Sequence, residues 1–387
     1  MRFLLIHNEY GAPSGEDFQL RQIAQVLKDH HHHVRLYIRS STEIEQMQFG
    51  RIRAFFSGIF NARASYQLKA IVAQFSPDIV FVQNLFPLIS PAALPFLGRL
   101  HLPIIMRVAN YRLICPNGLL FSHGQICDRC EHSGEHWCIL RNCEGSLPKS
   151  VGYAIRTAVA RQMGLYKENV DAYISASRFL KDRLSRCGFS SEKINVIPNV
   201  VHDESIGVKA HNNFDPYVIY VGRLSQEKGI HTILKAAELC PEIPFRFVGA
   251  LRDHFQLPAY IPSNVTIAGP EYDRQHLAKL YAGARLTVSA SECFETFGMS
   301  IAEAMLHRLP VVAPRHGVFP DLVQDEITGL LFDPGKASDL AQAIRKLWRA
   351  PDVCVSMGAY GRARVLERCS PAIYYSKLMD VCNRIIR

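Results

Sequence analysis

The sequence predicts an α/β protein of two doubly wound, Rossmann-like parallel-sheet domains facing a cleft. Three observations carry this. Short runs that are apolar at every position alternate with helical patterns, which marks strands buried on both faces. The alternation stops over the polar, aperiodic stretch Val200–Pro216 and then restarts. The length, 387 residues, exceeds what one core of ordinary size organises.

In the first set, Phe3–Ile6 reads as a strand, Glu16–Asp29 as an amphipathic helix and Val34–Ile38 as a strand. Asp78–Val82, Pro103–Val108, Ala172–Ser175 and Ile194–Ile197 follow as strands. After Asn199 come Tyr217–Val221, Phe245–Val248, Val265–Ala268, Leu286–Ser289 and Pro310–Ala313. The expected organisation is a first domain over 1–200, a linker over 201–216 and a second domain over 217–371. A last helix over 372–387 follows Ser370-Pro371 without a strand of its own, and is expected to cross back to the first domain. Ligands of such sheets bind in crevices at the strand C-termini.

The chain is 48% hydrophobic and 20% charged, with no low-complexity tract. Met1–His7 is apolar for too few residues to be a signal peptide, and no segment could span a bilayer, so a cytoplasmic protein is expected. The net charge of +9 is spread along the chain without a run of lysines and arginines or an aromatic-basic motif. It suits a phosphorylated small molecule or an anionic surface better than nucleic-acid recognition.

Two segments carry chemistry. Tyr220-Val-Gly-Arg-Leu-Ser-Gln-Glu-Lys-Gly229 follows a strand. Gly222 allows close backbone approach, Arg223 offers planar donors for phosphate oxygens, and Lys228 is placed at the start of the next helix. The alternative is a glycine turn with two solvated cations. One sheet position further, Cys293–Phe297 reads as a loop and Gly298–Leu306 as a helix, with Glu295 on the loop and Glu303 two turns into the helix. Glu292 is read as an exposed loop charge without a role.

Glu295-Thr-Phe-Gly-Met-Ser-Ile-Ala-Glu303 resembles the signature of the retaining GT-B glycosyltransferases of family 4 (group 1 type). Val221-Gly-Arg-Leu with Glu227-Lys-Gly229 resembles that family's phosphate-gripping loop, and Pro198-Asn199 its domain junction. His316-Gly-Val-Phe-Pro-Asp321, Thr328-Gly-Leu-Leu331 and Gly15-Glu-Asp17 resemble further segments, so the resemblance covers nearly the whole chain. It implies a nucleotide-diphosphate sugar donor (a UDP- or GDP-sugar), a glycan or lipid-linked acceptor, and no catalytic metal. Arg223 and Lys228 would hold the diphosphate, Glu303 the ribose hydroxyls and Glu295 the transferred sugar. Phe297, Gly298 and Met299 would approach phosphate and sugar, Gly222, Gly249 and the Gly269-Pro270 turn would line the nucleotide pocket, and Gly15 would lie near the donor.

A glycosidase needs two carboxylates flanking the bond and has no use for a separate diphosphate site. A nucleotide diphosphate leaves as a stable anion that cations can neutralise. The chain departs from the family at Ser14 and Val318, each in place of a glycine, and at Ala109, where related sequences often carry a histidine. Without that histidine no general base is assigned. Asn110 could still donate to the sugar, and His7 is more often structural at a strand end. A nucleotide-sugar epimerase on the same fold and a non-enzymatic, basic, zinc-stabilised binding module remain as alternatives.

Five of the eleven cysteines lie between Cys115 and Cys143. One Cys-x-x-Cys pair with further thiols has the ligand count of a structural zinc, against a redox-labile loop or unpaired thiols. The set that matches a subgroup of the resembled family is Cys115, Cys127, Cys130 and Cys143, with Cys138 extra. Gly50-Arg-Ile-Arg-Ala-Phe-Phe-Ser-Gly-Ile-Phe60 either rests on the inner face of an anionic membrane as a peripheral contact or packs on the core.

Overall fold

The computed structural model describes residues 1–11, 14–47, 50–205, 215–252 and 255–386, and of residues 51–53 only the backbone. The chain forms two compact units. One comprises Met1–Ser122, Cys127–Val200 and Pro371–Arg387, the other His123–Ile126 and Val201–Ser370.

The first unit is built on a six-stranded sheet in the order His33–Ser40, Arg2–Glu9, Ile79–Val82, Ile104–Val108, Ala172–Ser175, Ile194–Val196. Every pairing is parallel. Phe3 pairs with Ile79 and Leu5 with Phe81. All four are fully buried in one core with Leu20, Ile23, Ala24 and Leu27 of the helix Gly15–Asp29. That spacing is one apolar stripe of a helix. Ser14 caps the helix by accepting from the Asp17 amide at 3.2 Å, and Glu16 and Asp17 in the first turn suit its dipole. The last helix, Pro371–Ile385, belongs to this unit. It inserts Tyr374, Leu378, Val381 and Cys382 into the same core, each large side chain contributing about 1.5–3 kcal/mol by burial.

The second unit also holds six parallel strands, in the order Val265–Gly269, Phe245–Val248, Tyr217–Val221, Ala284–Val288, Val311–Pro314, Gly329–Phe332. The sixth, Gly329–Phe332, is not among the strands read from apolar runs, because three apolar residues after a glycine give too short a signal. Its backbone lies so close to its neighbour that a Cβ on Gly329 would stand 2.0 Å from the Val311 carbonyl oxygen.

The strand order reverses between Tyr217–Val221 and Ala284–Val288. The loops leaving these strands, 222–229 and 289–298, therefore flank the crevice where doubly wound sheets bind ligands. In the first unit the reversal falls between Arg2–Glu9 and Ile79–Val82. Of the expected linker 201–216, residues 206–214 lie outside the described residues. Residues 201–205 fold onto the second unit: the Val201 amide donates to the Cys369 carbonyl at 2.9 Å and Arg362 pairs with Asp203. Among the described residues no helix is long and apolar enough to cross a membrane.

Candidate functional site

In the second unit, three strand-end turns are laced together. Gly222 N–H donates to the Val248 carbonyl at 3.0 Å, and Gly249 N–H to that of Gly269 at 2.7 Å. Gly249 has φ 156°, and a Cβ on it would lie 1.9 Å from the Gly222 carbonyl oxygen. Pro270 follows, exposed. Arg223 is exposed on this surface, and the buried Tyr220 hydroxyl donates to its carbonyl at 2.7 Å.

Lys228 does not start the next helix. It closes the 3₁₀ turn Gln226–Lys228, and Gly229 in the left-handed region (φ 67°) separates it from the helix Ile230–Leu239. Its ammonium is thereby turned onto the Glu295 carboxylate, with both side chains about four-fifths buried. Ser291 Oγ donates to the same carboxylate oxygen at 2.6 Å. Burial alone would push the Glu295 carboxyl up, but the Lys228 charge and hydrogen bond, Ser291 and the nearby Arg223 hold it below the usual range. Burial would likewise lower Lys228, and Glu295 and its neighbours hold it raised. The pair is thus ionised on both sides.

Gly229 also fixes how the two loops meet, since a Cβ there would stand 1.9 Å from the Ala290 carbonyl oxygen. Gly229→Ala combines a strained φ with this clash and is expected to destabilise the second unit by about 3 kcal/mol. Urea unfolding reads this directly; an unchanged midpoint would remove the close approach from the account.

Gly298 (φ 90°) caps the helix Met299–Leu306, its carbonyl accepting from the Ile301 and Ala302 amides at 3.1 Å each. Phe297 is buried and Met299 opens the helix. Glu303 receives Arg274 Nη1 and Nη2 on one oxygen at 3.3 Å each. Burial pushes its carboxyl up, and Arg274 opposes the shift. The two glutamates therefore have separate partners and do not act on one another as an acid and a base. Glu292 departs from its expected exposure: it is half-buried and accepts from Thr232 Oγ1 at 2.9 Å.

In the first unit, Gly15 opens its helix, and beyond its own stretch of chain no described atom lies within 4 Å of the point where a Cβ would stand. Asn110 follows the strand Ile104–Val108, and its amide is committed to Glu16 Oε1 at 2.9 Å. The Tyr10 hydroxyl donates to Glu16 Oε2 at 3.3 Å, and Arg112 lies over the Tyr10 ring. Sequence reasoning does not single out Glu16 or Tyr10. Glu16 stands beside Gly15, but nothing in the chain signals a partner 94 residues away. Ala109 lines a small cavity with Gln83, Asn84, Phe86, Asn110 and Arg112. His7 is fully buried with Nε2 2.7 Å from Asp17 Oδ1, a tie between strand and helix.

The cysteines converge, with Cys115, Cys127 and Cys143 all close enough to Cys130 to raise its thiol. Among the described residues no three His, Cys, Asp or Glu side chains are placed to hold a metal ion. The Cys115 thiol donates to Asn117 Oδ1 at 3.0 Å, and that of Cys143 lies 3.4 Å from Ser122 Oγ. Cys138, the one left out, is fully buried against Cys143. Burial and neighbouring thiols push Cys130 up to about 12, and burial pushes Cys115 up to about 11. The aromatic segment divides. Phe55 packs against Gly152, whereas Phe56 and Phe60 are 62% and 61% exposed. The side chains of Arg51 and Arg53 lie outside the described residues.

Residues 201–364 match the family described as glycosyl transferases group 1. Sulfoquinovosyl transferase SQD2 of Arabidopsis thaliana is 33% identical over 135 residues, 34% of this chain and 26% of that protein. The alpha-maltose-1-phosphate synthase of Mycolicibacterium smegmatis is 24% identical over 264 residues, 60% of this chain and 67% of that protein. The chain thus spans about a quarter of the first relative's length and two thirds of the second's. Anabaena HepE, solved in complex with UDP, superposes with a TM-score of 0.69 at 18% identity, covering 99% of this chain and 100% of that one. Sucrose-phosphate synthase from Thermosynechococcus elongatus gives 0.71 at 19% identity over 99% and 98%. These likenesses show the fold, the GT-B architecture.

Proposed function

We propose that this chain, whose second unit carries a group 1 glycosyl transferase domain, is a retaining glycosyltransferase that moves a sugar from a UDP- or GDP-sugar to an acceptor hydroxyl on a growing glycan. The observation that carries this is the ionised Lys228–Glu295 pair beside the exposed Arg223 at the reversal point of the second sheet. HepE has also been solved with UDP-glucose, which favours a UDP-sugar.

In this reading Arg223 and Lys228 neutralise the diphosphate, and the amides at the Gly298 helix start face it. Gly222, Gly249 and Pro270 line the nucleotide pocket, with Phe297 and Met299 beside the sugar. Glu303 accepts from the ribose hydroxyls. Glu295, kept anionic by Lys228, accepts from a hydroxyl of the transferred sugar and stabilises positive charge developing at its ring. The bond from the anomeric carbon to the leaving phosphate breaks, that to the acceptor oxygen forms on the same face, and the acceptor proton passes to the leaving phosphate. No side-chain base is required, which accommodates Ala109. Asn110, held by Glu16, lies on the acceptor side of the reaction. The exposed Phe56 and Phe60 support a peripheral membrane contact suited to a lipid-linked acceptor. No step is routed through a metal.

The expected result is that UDP or GDP raises the melting temperature of the protein. If neither does, the donor-site reading is wrong.

A further inference from the structure

Glu303 is not alone in its corner of the second unit. Arg274, the first residue of the helix Arg274–Ala282, lies between two carboxylates. Its Nη1 and Nη2 reach Glu303 Oε1 at 3.3 Å, and its Nε donates to Glu204 Oε1 at 2.9 Å. Glu204 sits on the 201–205 segment, which Arg362 anchors by pairing with Asp203 and donating to Ser205 Oγ and the Leu306 carbonyl. Leu306 ends the helix that carries Glu303, so the bridge closes on a rigid frame. Beneath it, Tyr281 is fully buried, stacks on His307 at 5.1 Å and donates its hydroxyl to the Ser300 carbonyl at 3.2 Å.

A carboxylate this buried would tend to take up a proton or swing away unless something supplies its counter-charge. Arg274 does so with both terminal nitrogens on one oxygen, which pins that oxygen in place. Glu204 in turn holds the guanidinium from its other edge, through Nε.

We propose that Arg274 is a positioning residue for nucleotide recognition: by bridging Glu204 and Glu303 it holds the Glu303 carboxylate in the orientation that reads the ribose hydroxyls. The proposal rests on the donor-site reading above and deepens it. It makes ribose discrimination a property of three residues from separate segments, residues 204, 274 and 303, and leaves the diphosphate grip to the Arg223 loop.

The test is isothermal titration with UDP, 2′-deoxy-UDP and UMP, with the guanine series in parallel. Wild type is expected to bind the ribonucleotide about tenfold tighter than its 2′-deoxy form, as befits a hydrogen bond to a charged group. Arg274→Met should compress that ratio to about twofold while leaving the preference for diphosphate over monophosphate unchanged, a split that a general loss of structure would not give. Glu204→Ala, which removes the far anchor and leaves the Glu303 side chain in place, should lower the ratio in the same direction. A wild-type ratio in Arg274→Met overturns the proposal; should that variant fail to fold, a wild-type ratio in Glu204→Ala does so. A wild-type protein that binds UDP or GDP but ignores the 2′-hydroxyl overturns the ribose assignment of Glu303 itself.

Discussion

Arg223→Ala is expected to remove most of the stabilisation of the protein by UDP or GDP while leaving the unliganded protein as stable as wild type. Arg223 is exposed, and the hydrogen bond that ties it to the fold runs from the Tyr220 hydroxyl to its backbone carbonyl. Removing the side chain therefore costs the fold little. Lys228 shares its charge with Glu295, so in the proposed donor site Arg223 carries the larger part of the contact with phosphate. Losing its charge-assisted bonds to phosphate removes about 1.5–3 kcal/mol, a fall of about 10–100-fold in affinity. Titration calorimetry with a urea midpoint for the free protein separates the two quantities. Wild-type affinity in the variant would place the diphosphate elsewhere.

Glu295→Gln is expected to lower turnover by about 10²–10³-fold, the scale of losing one electrostatic contact to the transition state, with nucleotide affinity changed only a few-fold. The amide preserves the shape and can still accept from Ser291, which donates to Glu295 at 2.6 Å in the wild type. What it removes is the negative charge and the partner of Lys228. A lysine four-fifths buried beside a neutral amide is free to turn to the diphosphate, so nucleotide binding holds even as the sugar loses its acceptor. Steady-state kinetics with titration of UDP or GDP measure both. Unchanged turnover would take Glu295 out of the sugar contacts; equal losses in both would make it a donor-binding residue only.

The donor side is legible in the sequence because its chemistry is local. Gly222, Arg223 and Lys228 lie within one loop, and Glu295 and Glu303 sit on one short strand-loop-helix passage. Continuous apolar runs locate all six strands of the first sheet and five of the second. Gly329–Phe332 escapes because its burial depends on Val311–Pro314 beside it, which a short run cannot announce. The same limit governs the site. Glu295 announces a carboxylate, but its ionisation is set by Lys228, 67 residues away. Arg274 carries no motif, and its meaning comes from residues 204 and 303. Asn110 is legible as a donor, whereas its commitment to Glu16 arises only when a helix start meets a strand end. For the thiols, the resemblance picks out Cys115, Cys127, Cys130 and Cys143, whereas the packing of Cys138 against Cys143 emerges only in the fold.

The central claim is that the Lys228–Glu295 and Arg223 crevice serves transfer of a sugar from a nucleotide diphosphate. A panel of UDP- and GDP-sugars, incubated with the protein with and without glycan acceptors, tests it most directly through release of the nucleotide diphosphate and the anomeric configuration of the product. The account predicts that one donor class gives acceptor-stimulated release with the configuration retained, and that Glu295→Gln and Arg223→Ala suppress it. Release from none of the donors, or a product of inverted configuration, would contradict it.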